Sequence, residues 1–438
     1  MTEAVGPGAW QAASAAPERG LKSAVEARVR ARYAKEQRFQ WYGRLAILTA
    51  LAFLAVLLTS IVAQGASTFY TNSISTTVRL DSSRIERGYI EDANYDLMVA
   101  EALLAKLGLR DDEAGTLSDE MRALVSTDLG FRLLDRVRAN PELIGTQVTV
   151  RGPAGDEADL YLKGEIKRST PEADRTLSNR QLDWLDRLRA EGVVTGGFNL
   201  AFLTGTDSTE PEQAGVLGAV VGSALMLLIT ALLSVPIGVM AAVYLEEFAP
   251  KTRFTELIEV NSNNLAAVPS IVYGLLGLTL FINWMGLPRS TPLVGGLVLA
   301  LMALPTVIIA TRSSLKAVPP SIREAALGIG ASHTQAVFQH VLPLAMPGVM
   351  TGAIISLAHA LGETAPLLLI GMVAFNPSIP AGFTDSATAL PVQVFIWENA
   401  SERAFHERTA AAIMVLLIFM ILMNAVAIVL RRRFERRW

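Results

Sequence analysis

Six uninterrupted apolar stretches, near residues 45–63, 214–243, 265–286, 293–310, 344–373 and 410–430, constrain this chain more than any other feature. Each approaches or exceeds the ~20 residues that an α-helix needs to cross a hydrocarbon core of ~30 Å. Of the 438 residues 51% are hydrophobic and only 18% charged, and the mean hydropathy is positive. The fold expected is an all-α polytopic membrane protein with six transmembrane helices.

Charge sets the expected topology, because short cytoplasmic loops carry an excess of Lys and Arg. With the N-terminus inside, segments 1–44, 244–256, 311–343 and 431–438 carry eight, two, three and five such residues. The short outside segments 286–292 and 374–409 carry one and two. Both termini are therefore expected in the cytoplasm. The first apolar run begins after more than forty residues, too late for a cleaved signal peptide. Residues 1–44 read as a basic tail that sets topology, its first 17 positions rich in Ala and Gly, and 45–64 as the first transmembrane helix.

Residues 65–212 would then form an extracytoplasmic domain of different material. The stretch 66–212 holds 26 acidic against 17 basic residues and no spanning run. Amphipathic helices are expected at 90–108, 117–138 and 177–190. Val148 and Val150, and again Leu160 and Leu162, alternate as short strands do around the Gly152-Pro153-Ala154-Gly155 turn. A mixed α/β insertion of this length can hold its own core. It shows no catalytic or metal-ligand cluster, which leaves an accessory or docking role. The chain has no cysteine.

Between the fourth and fifth apolar runs lies a polar island at 321–343. Ser321 precedes Glu324 by three residues, and Ser332 precedes Gln335 by three, each a capping-box spacing. Pro319 and Pro320 bar a helix arriving from upstream. Gly328 and Gly330 supply a turn, and Leu342-Pro343 a stop. The expected local structure is helix, glycine turn, helix.

Glu324-Ala325-Ala326, with Gly330 six residues after the glutamate and Leu342-Pro343 beyond, resembles the EAA loop of ABC-importer permeases. His340 stands where a branched residue is usual. From about residue 197 onward the likeness continues through Phe202-Leu203-Thr204, Tyr244-Leu245-Glu246-Glu247-Phe248-Ala249-Pro250 and Ala267-Val268-Pro269-Ser270-Ile271-Val272-Tyr273-Gly274. With Leu361-Gly362-Glu363-Thr364-Ala365-Pro366-Leu367, these strings resemble the A-type permease subunit of phosphate ABC importers, the PstA family. The N-terminal third resembles a longer bacterial variant of that subunit.

That resemblance implies a type I ABC-importer permease core at 213–438, with a cytoplasmic coupling loop at 314–343 carrying Glu324, Ala325, Ala326, Gly330, Leu342 and Pro343. It implies import of inorganic phosphate across a bacterial inner membrane. The implied partners are a second, related permease subunit, two ATPase subunits and an extracytoplasmic phosphate-binding protein, with no nucleic acid. ATP and Mg would be bound by the ATPase partner: this chain has no Gly-x-x-x-x-Gly-Lys-Ser/Thr loop, so it is expected to be a transport subunit and not an enzyme, with no cofactor or metal of its own.

Candidate pathway residues are His359, Glu363, Thr364 and Arg312. Glu363 sits in an apolar run, where an ionisable group costs at least ~2.5 kcal/mol and normally faces a bundle interior or aqueous path. His359 is one helical turn earlier on the same face. The pair reads equally as a structural brace and as part of a translocation route. Many relatives carry arginine where this chain has His359 and Ile309; Arg312, one turn after Ile309, is either the substitute or a topology charge. Gly348 and Gly352 have the small-xxx-small spacing of close-packed membrane helices, while Pro236, Pro269 and Pro305 are expected to bend theirs. Rival readings are a permease for another oxyanion or solute, a membrane sensor, and an ion-driven secondary transporter.

Overall fold

The computed structural model describes the backbone of residues 9–85, 89–110 and 115–434, and the side chains of residue 29 and of 32–432 within those limits. The chain divides into two units, Met1–Ile61 and Val62–Trp438. Helix α1 runs from Ala9 to Gly65. Its spanning part, from Arg32, is long and apolar enough to cross a membrane.

In the second unit, a three-stranded antiparallel sheet is built on β1 (Tyr70–Arg79), with β2 (Gln147–Pro153) on one side and β3 (Val194–Phe198) on the other. Burial alternates along β1, so that Asn72, Ile74, Thr76 and Val78 face inward, as the period of two in a one-faced sheet demands. The register sets Val78 opposite Val148 and Thr76 opposite Val150, and Ile74 opposite Val194. Helices α2 (Tyr95–Lys106), α3 (Thr116–Arg122), α4 (Asp128–Ala139), α5 (Asp156–Lys163) and α6 (Asn179–Ala190) accompany the sheet. Leu103, Leu129, Leu133, Leu182 and Leu185 join Ile74 and Val150 in one core.

Two local expectations give way here. Leu160 and Leu162 lie in α5, a helix and not a strand. Asp156, Glu157 and Asp159 occupy its first turn, where carboxylates suit the helix dipole, and Gly164 ends it at φ +87°. Residues two apart on a helix point to opposite sides. Leu162 therefore joins the sheet core while Leu160 packs with Ile166 and Ala404, so both are buried with strand-like spacing. The stretch 117–138 is likewise two helices, α3 and α4, parted where Val125 bridges to Ala154.

After β3 the chain passes through α7 (Leu200–Thr204) into α8 (Leu217–Val243), which continues as a π-helical turn, Tyr244–Phe248. Then come α9 (Arg253–Ala266), α10 (Ser270–Gly277), α11 (Pro292–Lys316), α12 (Pro320–Gly328), the short α13 (His333–Gln335), α14 (Leu342–Gly362), α15 (Ala365–Leu369), α16 (Leu390–Glu398) and α17 (Arg403–Phe434). Five helices among the described residues are long and apolar enough to span a membrane; a sixth span results if α9 and α10 with its π-helical extension to Trp284, bent by 101° at their junction, count as one. Pro269 sits at that bend, as the N-cap of α10. Pro236 and Pro305 lie inside unbroken helices.

Small residues set the helix spacings. Beta-carbons added at Gly348 and Gly352 would collide with Ser314 and Ala310, so α14 and α11 meet along the small-residue seam. The Ser356 hydroxyl donates across that seam to the Ala303 carbonyl at 3.2 Å. On the other side of α11, Thr230 of α8 donates to the Gly296 carbonyl at 3.2 Å. The fifth apolar run is not one helix: α14 stops at Gly362, Glu363 is extended (φ −79°, ψ 123°), and α15 restarts with Pro366 in its first turn.

Candidate functional site

The island at 319–341 folds as a hairpin. α12 opens on Pro319 and Pro320, with no side-chain cap. The Ser321 box does not form, because a proline of fixed φ already starts the helix and Ser321 falls inside it. The Ser332 box does form: its hydroxyl accepts from the Gln335 N–H at 3.3 Å and Gln335 Oε1 accepts from the Ser332 N–H at 2.9 Å. Between them Gly330, at φ +91°, closes α12 in the left-handed geometry that glycine adopts without strain. Gly328 is the last helical residue. Val337, Val341 and Ala345 pack on Val243, Leu315 and Val318, burying the inner side, and Leu342 and Pro343 begin α14 half-buried.

The hairpin's outer side is open. Glu324 and Ala325 are exposed, Ala326 is buried, and Ile329 at the tip is 83% exposed beside a largely open Leu327.

What holds the hairpin is the π-helical turn after α8. Arg323, in the middle of α12, donates through Nη2 to Glu247 Oε1 at 2.6 Å and through Nε to Glu247 Oε2 at 3.1 Å. The same guanidinium donates to the carbonyls of Leu315 at 2.9 Å and Val318 at 2.8 Å. Its Glu247 bond raises the arginine pKa further above its usual value, against the opposing effect of burial. The second arm is pinned at the same residue: His333 Nε2 lies 2.7 Å from the Glu247 carbonyl, with its ring edge-on to Phe248 at 5.1 Å. One residue earlier, Glu246 takes the opposite direction and pairs with Arg312 of α11 at 3.2 Å. Arg312 also pairs with Glu259 of α9 at 3.0 Å, and Lys316 lies 3.7 Å from Glu246. A cavity of about 300 Å³ opens beside this cluster.

Of the candidate pathway residues, two meet. His359 Nε2 stands 3.2 Å from Glu363 Oε1 at the break between α14 and α15, the imidazole 68% and the carboxyl 18% exposed. Thr364 caps the restart, its carbonyl accepting from the Leu367 and Leu368 N–H groups at 3.0 and 3.1 Å. α10 packs on this break so closely that a β-carbon at Gly274 would lie 2.7 Å from Pro366 Cα. Arg312 is elsewhere, engaged by its two carboxylates. The hairpin and the break occupy opposite ends of α14, which at ~1.5 Å per residue sets them about 30 Å apart. No group of three or more potential metal ligands occurs among the described residues.

The family described as "Binding-protein-dependent transport system inner membrane component" matches residues 214–438, more than half of the chain. The chain belongs to that family. This binding-protein-dependent permease also matches "Domain of unknown function (DUF3333)" over residues 26–172. It is similar to the phosphate transport system permease protein PstA 1 of Mycobacterium tuberculosis, at 34% identity over 52% of this chain and 74% of the relative. It is similar to PstA of Yersinia pestis, at 29% identity over 56% of this chain and 83% of the relative. A third relative, PstA of Mycobacterium leprae, is 35% identical over 48% of this chain and 68% of its own length.

Of the residues that secure the hairpin in this permease, the sequence named Glu247 only within a longer string and singled out neither Arg323 nor His333. Arg323, Glu247 and His333 had a signal: two adjacent glutamates ending an apolar run, and a lone arginine in an alanine-rich short helix. Their pairing across 76 positions had none.

Proposed function

We propose that the chain is the transmembrane subunit of an ATP-driven importer of inorganic phosphate. The observation that carries this is the exposed hairpin at 319–341, locked to the helix core by Arg323 and His333 in a chain similar to PstA permeases. In this reading the chain lies in a bacterial inner membrane with both termini and the hairpin in the cytoplasm, where the Lys/Arg-rich segments belong. The sheet domain faces outside. A second, related permease subunit completes the pathway, two ATPase subunits bind ATP and Mg and dock on Glu324, Ala325, Leu327 and Ile329, and a soluble binding protein delivers phosphate.

The geometry suits force transmission. A docking surface that swings with an ATPase dimer moves the bundle only if it is fixed to the helices. Here both arms of the hairpin are tied to Glu247, at the end of α8, and the outgoing arm runs directly into α14. Rotation of the hairpin therefore turns α14, whose far end carries the His359–Glu363 pair. Those two residues and Thr364 are proposed to face the substrate path, with Glu363 held by His359. Arg312 serves a different purpose. With both its carboxylates bound, it ties α11 to α8 and α9.

The test is radiolabelled phosphate uptake at low concentration in a strain lacking this subunit, complemented by the natural chain or by Glu324→Lys. Restored uptake with the natural chain, lost in the variant at equal membrane abundance, is the expected result. No uptake with the natural chain while its partners are present would refute the substrate. The absence of native cysteine permits single-cysteine labelling from either side; labelling of residue 110 from the cytoplasmic side would overturn the topology.

A further inference from the structure

A recess of about 490 Å³ lies between β2, α4 and the segment that follows β3. Three arginines line it: Arg132 and Arg136, one turn apart on α4, and Arg151 on β2. They converge because α4 is fastened to β2, Arg136 donating through Nη1 to the Thr149 carbonyl at 2.7 Å. This stands out in a region that holds 26 acidic against 17 basic residues.

The acids at the recess do little to cancel these charges. Asp128 is engaged by Nε of Arg132, and both Nη groups of that side chain have no partner among the described residues. Glu212 is buried at the rear, and burial raises its pKa, opposed by a hydrogen bond from Ser126. The exposed side chain of Arg151 has no hydrogen bond or ion pair among the described residues. A planar guanidinium fork without a carboxylate is suited to two oxygens of a phosphate group, and Arg favours that geometry over Lys.

The opposite wall contains Phe198 and Leu200, which with Tyr70 are exposed large apolar side chains. They lie where the sheet gives way to the segment entering α8. Aromatic and aliphatic side chains beside arginines are the composition of a membrane interface. A phosphate group could thus arrive as a free ion or on a lipid.

We propose that Arg132, Arg136 and Arg151 form a binding site for a phosphate group, free or carried by an anionic lipid, at the seam between the sheet domain and α8. The site is separate from the His359–Glu363 break and stands whether or not phosphate is the transported solute.

The test uses the full-length chain, purified in its complex. One arm measures equilibrium binding of radiolabelled inorganic phosphate in detergent. The other measures retention of phosphatidylglycerol against phosphatidylcholine by native mass spectrometry after extraction from mixed-lipid nanodiscs. Arg151→Gln loses no internal bond and is the primary variant; Arg132→Gln is the second, and Arg187→Gln on the exposed side of α6 is the control. Loss of a charge-assisted fork weakens binding by about tenfold or more. A tenfold weakening of phosphate binding in Arg151→Gln but not in Arg187→Gln supports the site with the free ion as ligand. Loss of selective phosphatidylglycerol retention, with phosphate binding unchanged, supports it with the lipid as ligand. If Arg151→Gln and Arg132→Gln match the natural chain in both arms, or the natural chain binds neither ligand, the proposal is overturned.

Discussion

Replacing Arg323 by methionine removes the side chain that hydrogen-bonds α12 to the turn after α8 while keeping its aliphatic length. The Glu247 carboxylate is 5% exposed and the Arg323 side chain 24%. Removing one partner of a fully buried pair costs about 3–5 kcal/mol, chiefly from the charge left behind. The partial exposure of the guanidinium lets water reach part of the site, which brings the ion-pair share down to about 2 kcal/mol. The Leu315 and Val318 carbonyls each lose a donor as well. The Leu315 carbonyl keeps the Val318 N–H at 3.2 Å, so the loss falls mainly on the buried Val318 carbonyl and adds about 1 kcal/mol. The sum, about 3 kcal/mol, corresponds to somewhat more than a hundredfold shift towards an undocked hairpin. Amide hydrogen exchange over residues 320–341 reads that shift directly, as a comparable gain in exchange rate in Arg323→Met. Phosphate uptake should fall while membrane abundance holds. Adding Glu247→Gln removes the orphaned charge, so the double variant should recover about half of the lost protection. Exchange within threefold of the natural chain in Arg323→Met would refute the reasoning, as would a double variant more exposed than the single one.

Three further outcomes are expected. Gly274→Val should abolish stable accumulation, because its β-carbon would meet the Pro366 backbone at 2.7–2.9 Å; normal abundance and an unchanged melting temperature would show that α10 is free to move off α15. Lys163→Met should destabilise by about 3 kcal/mol, since Lys163 lies 2.7 Å from Asp159 and 3.6 Å from Glu407 with all three largely buried; a thermal melt shifted by less than 1 °C would count against it. Burial raises the Asp207 pKa, although Gln393 and Trp397 donate to it and oppose the rise. The folded chain therefore holds that proton more tightly than the unfolded one. The resulting stability is present below the ordinary carboxylate range and is lost as pH rises through the raised value. Asp207→Asn should flatten the melting temperature over that window, and an identical pH profile in variant and natural chain would contradict the assignment.

Much of the architecture was legible because one physical requirement dominates it. A run of about twenty apolar residues has few alternatives to a spanning helix, and Gly348 and Gly352 announced the close approach of α14 to α11. The Ser332 box was equally readable, being wholly local. Errors arose where a local pattern had two solutions. The spacing of Leu160 and Leu162 fits a one-faced strand and also a helix buried on both sides, and only the position of Ala404 against α5 decides between them. The apolar run 344–373 hides a break at Glu363, because hydropathy does not register where a backbone turns. Of the candidate site, Glu324, Gly330 and the His359–Glu363 spacing could be read directly. The roles of Arg323 and Arg312 could not, since each depends on a carboxylate more than sixty positions away.

β1 and β3 are neighbours, with Tyr70 opposite Phe198. Just below that pair the Asn199 N–H donates to the Phe69 carbonyl at 2.8 Å, and its side-chain amide donates to Thr68 at 3.0 Å. Residues 71–197 thus leave the permease scaffold and return to it through a gap one strand spacing wide, about 5 Å. A segment attached in this way behaves as a cassette. A two-residue turn could replace it without altering the path of the chain into α8, and a foreign domain with adjacent termini could be grafted in its place. The permease half could then gain or lose its outer module whole, in a single genetic event, with α17 giving up the contacts that Ala404 and Glu407 make to α5.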